Sequence, residues 1–289
     1  MKKVKVGIIG TGNIGTDLLM KVMRSDVLEC GIFAGRNLDS KGMVYARQFK
    51  VPVTDESIAY IEDNPDCCEI VFDATTASSH QIHAPILKRL NKFTIDLTPA
   101  HIGRFCIPAI NGDKVLEDYN VNMITCGGQA TIPIAYAIKN VQSDVKYFEI
   151  VATIASKSAG IGTRNNIDEF TQTTKEAITE FTGEQRAKAI IILNPAEPPI
   201  TMHNTLYALI KEPDMDKISA EIHLTEEKIK KYVPGYRILT GPIYEDGRVT
   251  TTLTVEGSGD YLPKYAGNLD IITCAAISVA EGKARRMQQ

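Results

Sequence analysis

KVKVGIIGTGNIGTDLL, residues 3–19, decides the fold. The apolar, largely β-branched run Val4–Ile9 stops at Gly10, and Gly10, Gly12 and Gly15 then make GxGxxG at the entrance to a helical pattern. Glycine at these points allows a tight turn and close backbone approach to a pyrophosphate, which the helix N-terminus attracts. The stretch therefore predicts the opening of a dinucleotide-binding domain. A tight strand-to-helix turn without a ligand is the other reading of the same residues.

Outward from this turn, segments 27–34, 68–73 and 92–97 read as further strands, and 40–49 and 78–90 carry apolar residues at helical spacing. That alternation implies a parallel, doubly wound sheet. The second strand ends IFAGRN, where an acidic residue would bind the ribose hydroxyls of NAD. Arg36 and Asn37 occupy the place, and Asp39 comes late. Arg36 reads either as a partner for the 2′-phosphate of NADP or as a solvent-exposed loop residue.

Beyond about residue 129 the character changes. Segment 147–154 alternates like a half-exposed strand, 167–181 is a helix, and 187–193 is an apolar strand followed by the proline-rich connection NPAEPP. Segments 236–244 and 248–256 flank Asp246 and Gly247 as an antiparallel hairpin, and YAGNLD leads into an alanine-rich helix with Asn268 as its N-cap. The expected organisation is an N-terminal Rossmann domain (1–125), an α+β catalytic and dimerisation domain (126–265) and a C-terminal helix (266–289) that returns to the first domain.

A chain of 289 residues is long enough for two cores, and 44% hydrophobic with 23% charged residues is an ordinary globular composition. A net charge of -3 with only short lysine clusters offers no stripe for nucleic acid. No apolar run approaches the roughly 18 to 20 residues needed to cross a bilayer, so a cytoplasmic protein is expected. The six cysteines show no CxxC spacing and the five histidines no HxxxH spacing, so no metal site is expected.

One of those cysteines stands apart. In NVNMITCGGQATIP, Cys126 lies between a strand and a helix, with Pro133 placed in the helix's first turn. Helix N-terminal amides pointing at the sulfur would lower its pKa, and Gly127 and Gly128 would leave N–H groups open for an oxyanion. The alternative is a buried structural thiol beside a Gly-Gly bend. Gln129, on the first turn, reads as a substrate-orienting, capping or solvent-facing residue.

NMITCGGQATIP, ASKSAGIGTRNNIDEFTQTT, KAIIILNPAEPP, YVPGYR and YLPKYAGNLDI, together with GTGNIGTDL and VFDATTASSH, resemble the acylating acetaldehyde dehydrogenase family, in the same order and over nearly the whole chain. The resemblance implies a fold similar to glyceraldehyde-3-phosphate and aspartate-semialdehyde dehydrogenases. It implies Cys126 as the carrier of an acyl thioester. Gly10, Thr11, Gly12, Asn13, Ile14 and Gly15 would hold the cofactor. Ser158, Ala159, Gly160, Ile161 and Gly162, continuing through Thr163, Arg164, Asn165 and Asn166, would form a second cofactor segment. Asn268 would stand near the nicotinamide.

By the same resemblance the reaction is oxidation of acetaldehyde, or another short aldehyde, to acetyl-CoA, with NAD as cofactor and coenzyme A as co-substrate; Arg36 leaves NADP open as the alternative. A homodimer and a complex with a 4-hydroxy-2-oxovalerate aldolase are implied as well. A phosphate-dependent semialdehyde dehydrogenase and a non-catalytic dinucleotide-binding subunit are the rival readings. The chain departs from the family pattern at Ile161, where proline is common, and at Asn204, where an acid is common. Asn204 cannot take a proton, whereas the adjacent His203 can titrate near neutral pH. The hairpin at Asp246 is also shorter than is usual.

Overall fold

The structure is a computed structural model that describes residues 2–160, 163, 164 and 167–289. The apolar run forms β1 (Val4–Ile9), and the glycine turn leads into α1 (Asn13–Arg24). Then follow β2 (Leu28–Ala34), α2 (Lys41–Gln48), β3 (Val53–Thr54), α3 (Ile58–Asp63), β4 (Ile70–Asp73) and α4 (Ala77–Arg89). The sheet is completed by β5 (Phe93–Asp96), β6 (Arg104–Phe105) and β7 (Asn120–Asn122), with the short α5 (Pro108–Asn111) between the last two.

These strands lie in the order β3-β2-β1-β4-β5-β7-β6, every pair parallel. The order reverses between β1 and β4, which is where doubly wound sheets open a crevice beyond their strand C-termini. Ile9, Ile32, Ala34, Val71 and Leu87 form one fully buried cluster of this layer. Each isoleucine, valine and leucine among them contributes about 1.5–3 kcal/mol by leaving water. The sequence pattern missed β3 and β6, each two residues long. So short a strand has no periodicity to read.

The second sheet is mixed. Before it comes α6 (Cys126–Val141); then β8 (Tyr147–Ala155), α7 (Ile167–Thr182), β9 (Ala187–Asn194), β10 (Met202–Leu209), α8 (Met215–Lys230), β11 (Tyr236–Glu245) and β12 (Arg248–Val255). Strand order is β11-β12-β10-β8-β9, antiparallel except for β8 with β9. Phe148, Ile150, Ala152 and Ile154 of β8 are buried on one face, while Tyr147, Glu149, Val151 and Thr153 remain half-buried on the other. The last helix is α9 (Gly267–Met287).

By its contacts the chain divides into two compact units. One holds Met1–Met123, Asp260–Leu262 and Ile272–Gln289, and the other Ile124–Gly259 and Pro263–Ile271. Among the described residues no helix is long and apolar enough to cross a membrane.

Candidate active site

In the first unit the glycine turn works as its spacing predicts. A Cβ on Gly15 would lie 1.8 Å from the Gly10 carbonyl oxygen, so this glycine lets α1 press onto β1. Gly10 has φ +106, and its missing Cβ makes room for the Ala74 carbonyl. At Gly12 a Cβ would meet nothing within 4 Å. Gly12 caps α1 without any side-chain hydrogen bond, so the first amides of the helix stay uncovered. A pyrophosphate fits such a place.

Gly10, Thr11 and Gly12 line a cavity of about 340 Å³, with Arg36 and Asn37 from the end of β2 and Thr75, Ser79 and His83 from the β4–α4 corner. Asn13, Ile14 and Gly15 do not line it; they are the first residues of α1.

Beneath this corner lies a charged network that the sequence reading did not identify. The Asp73 carboxylate, fully buried at the end of β4, meets Nδ1 of both His80 and His83 at 2.8 Å. Burial pushes Asp73 up, but the two histidine hydrogen bonds outweigh it and hold the carboxyl well below its usual range. For His80, burial pulls down while Asp73 and Asp96 pull up, and the net shift is upward. Asp96, at the end of β5, is pushed up to about 6 by burial. Removing one member of such a buried pair costs about 3–5 kcal/mol, so the network fixes the corner that carries Thr75, Ser79 and His83. The signal was present as an HxxH pair on one helix face, just after a strand ending in aspartate.

In the second unit Cys126 is the first residue of α6. Thr125 is the N-cap, and its hydroxyl accepts the Gly128 N–H at 2.9 Å. Thr125 in turn lies 2.7 Å from the Thr174 hydroxyl, which donates to the Phe170 carbonyl, so the Thr125 proton goes to Thr174. The Gly128 amide is therefore committed, contrary to the expectation that it stays open for an oxyanion. The amides of Gly127 and of Cys126 itself face the sulfur.

Both glycines serve packing. A Cβ on Gly127 would lie 3.0 Å from Phe170 Cζ and 3.2 Å from Ala152 Cβ, and one on Gly128 would lie 2.8 Å from Ile124 Cγ2. Burial pushes the Cys126 thiol up to about 12, against the pull of the two amides. This reverses the expected lowering. A helix N-terminus is worth about 0.3–1 kcal/mol at exposed sites and up to ~2 when partly buried, less than the desolvation of a thiolate whose pKa no cation among the described residues lowers. Pro133 also departs from expectation: α6 starts at Cys126, which makes it the eighth helical residue. Proline has no N–H to give to the helix ladder at this position, and Tyr236 donates to the Ala130 carbonyl at 2.8 Å. Gln129 itself is fully buried, which removes its solvent-facing reading.

Of the second cofactor segment, Ser158 and Ala159 are buried and Gly160 is exposed, with open space where a Cβ would stand. Arg164 donates to the carbonyls of Ala159 and Ser156 and to the Ser156 hydroxyl, so it braces this turn. Thr163 is half-buried; Ile161, Gly162, Asn165 and Asn166 lie outside the described residues. The segment leads directly into α7, whose Phe170 stands against Gly127.

Asn268 is not the cap of α9 but its second residue. The helix starts at Gly267, where a Cβ would lie 1.9 Å from the Val255 carbonyl oxygen, so only glycine fits. Asn268 is buried and its Oδ1 has no hydrogen-bond partner among the described residues. Asn204 is likewise buried, with neither polar atom of its amide partnered, and pairs in register with Ala152. It points to the buried face of the sheet with Met202 and Leu206, while His203 points to the other face and bonds the Thr201 carbonyl. Strand alternation thus separates the two side chains.

A parallel doubly wound sheet with a glycine turn, followed in the chain by a helix that opens on a cysteine and by a mixed sheet, defines the α/β dehydrogenase class. The fold is similar to that of aspartate semialdehyde dehydrogenase II from Vibrio cholerae, with a TM-score of 0.64 and 12% identity, covering 98% of this chain and 99% of that one. Residues 126–263 match the family model described as prokaryotic acetaldehyde dehydrogenase, dimerisation. Proteins named acetaldehyde dehydrogenase are 54% identical in Pectobacterium atrosepticum, over 97% of this chain and 95% of the relative, and 50% identical in Spirochaeta aurantia, over 98% and 96%. One from Bacillus cereus is 54% identical over 97% and 94%. The chain belongs to the acetaldehyde dehydrogenase family, and is an oxidoreductase whose class works with a nucleotide cofactor.

Proposed function

We propose that this enzyme oxidises acetaldehyde, or another short aldehyde, to its coenzyme A thioester with reduction of a nicotinamide dinucleotide, NAD or NADP. The observation that carries the reading is Cys126 at the first position of α6, with its own amide and that of Gly127 turned to the sulfur. Gly10, Thr11 and Gly12 hold the pyrophosphate, and Ser158 to Asn166 with Asn268 serve the rest of the cofactor. When bound, the nicotinamide supplies the hydride acceptor.

Cys126 sulfur adds to the aldehyde carbon, forming a C–S bond, and the thiol proton ends on the former carbonyl oxygen. A thiol with a pKa near 12 is neutral at pH 7, so proton transfer accompanies attack. Asn204 cannot accept that proton, and His203 lies on the other face of its strand. Loss of hydride from carbon to the hydride acceptor and of the hydroxyl proton to solvent leaves an acyl thioester on Cys126. The thiol of coenzyme A attacks the acyl carbon, the C–S bond to Cys126 breaks, and the cysteine takes back a proton. The Cys126 and Gly127 amides, turned to the sulfur, stabilise the charge it carries as the C–S bond to Cys126 breaks.

The half-exposed face of the second sheet carries Val151, Ile192 and Tyr207, with Ile192 44% exposed. Together with the dimerisation family model this supports a homodimer. Association with a 4-hydroxy-2-oxovalerate aldolase rests on the family resemblance; sedimentation of the chain alone and with such an aldolase tests both assemblies.

The decisive experiment measures initial rates with acetaldehyde and each dinucleotide, with coenzyme A, phosphate or neither, for wild type and Cys126→Ser. Rates that depend on coenzyme A and fall by at least about a thousandfold in the variant are expected, and intact mass should show the acyl adduct only on wild type. Turnover with phosphate and not coenzyme A would make it a semialdehyde-type enzyme. Dinucleotide binding without aldehyde oxidation would make it a binding subunit.

A further inference from the structure

In a dinucleotide-binding unit, the residues just past the second strand meet the adenosine ribose. A ribose diol donates two protons and is met best by a carboxylate, whereas a 2′-phosphate carries charge and only accepts. The donor set at this point of the chain therefore discriminates between the two.

None of the residues lining the 340 Å³ cavity is acidic. Arg36 lines it, is exposed, and makes no hydrogen bond or ion pair among the described residues. Its neighbour Asn37 accepts the Asp39 N–H on Oδ1 at 2.8 Å, which turns its Nδ2 into an available donor. Asp39, the nearest acid in sequence, is held in that turn and does not line the cavity.

The backbone here is fixed by close approach. A Cβ on Gly35 would lie 2.7 Å from Thr11 Cγ2, and one on Gly42 would lie 2.3 Å from the Thr11 carbonyl oxygen. Ser40 caps α2 and sits 3.1 Å from the Thr11 hydroxyl. The Arg36–Asn37 turn is thus clamped against the glycine turn, and both turns line the same cavity.

We infer that Arg36 and Asn37 form a 2′-phosphate subsite and that the enzyme prefers NADP to NAD. The inference rests on the reading of this cavity as a dinucleotide site. It assigns Arg36 the bidentate contact and Asn37 Nδ2 the supporting one.

The test is calorimetric binding of adenosine 2′,5′-bisphosphate and adenosine 5′-monophosphate to the whole protein, for wild type, Arg36→Ala and Arg36→Lys. Wild type should bind the bisphosphate about ten- to a hundredfold more tightly, the range for a charge-assisted contact. In Arg36→Ala the ratio of the two affinities should fall to near one, with part of the preference kept in Arg36→Lys. Equal binding of both nucleotides by wild type, or a preference that survives Arg36→Ala, would overturn the subsite and leave the dinucleotide reading intact. Binding of neither would overturn both. Preference for the bisphosphate without coenzyme A-dependent turnover would support the subsite while the proposed acyl transfer fails.

Discussion

Two helices in this chain start from a strand through a glycine-rich turn, and they use glycine for opposite purposes. At α1 the missing Cβ of Gly12 faces open space and the N-terminal amides are uncapped. At α6 the missing Cβ atoms of Gly127 and Gly128 admit Phe170, Ala152 and Ile124, and Thr125 caps the end. The first leaves open space in front of uncapped amides. The second is a packed, capped seat for one half-buried cysteine. The same residue type therefore says nothing about ligand access until its neighbours are known.

The largest test of this contrast is the ionisation of Cys126. With the folded pKa raised to about 12, the thiol holds its proton across the neutral range, and roughly 1 in 10,000 molecules carries the thiolate at pH 8. Alkylation of Cys126 by iodoacetamide should rise about tenfold per pH unit from 7 to 10 without levelling, followed by peptide mass spectrometry. Cys67, half-buried and held low first by the Cys68 thiol 3.7 Å away and then by Lys92, should react before it. A plateau for Cys126 below pH 8 would mean that the helix end outweighs burial.

Paired alanine substitutions sharpen the comparison. Gly12→Ala should cost no more than about 1 kcal/mol of stability, since alanine is a poorer N-cap than glycine, while dinucleotide affinity falls by about tenfold or more. Gly127→Ala should do the reverse. Its Cβ is pressed by Phe170 from α7 and Ala152 from β8, and overpacking costs about 1–3 kcal/mol, more than the gain of about 1 kcal/mol in helix propensity. Urea denaturation and calorimetry of both variants measure the two effects separately. The smallest expected change is for Thr125→Ala, about 1 kcal/mol from loss of the cap. If that variant matched wild type in urea, the chain of hydroxyls through Thr174 would not hold α6.

Local sequence patterns suffice for the doubly wound sheet, the glycine turn and the junction that carries Cys126. Each rests on local periodicity or on glycine's backbone freedom, which neighbouring residues in sequence express. The family was legible too, because its blocks extend over nearly the whole chain. What only the tertiary structure decided is burial and partnership. It moved Cys126 from an expected thiolate to a protonated thiol, took the Gly128 amide for Thr125, shifted Asn268 inside α9 and put Asn204 and His203 on opposite faces of β10. It also joined Asp73 to His80 and His83. Desolvation and hydrogen-bond commitment depend on residues distant in sequence, so no local pattern carries them.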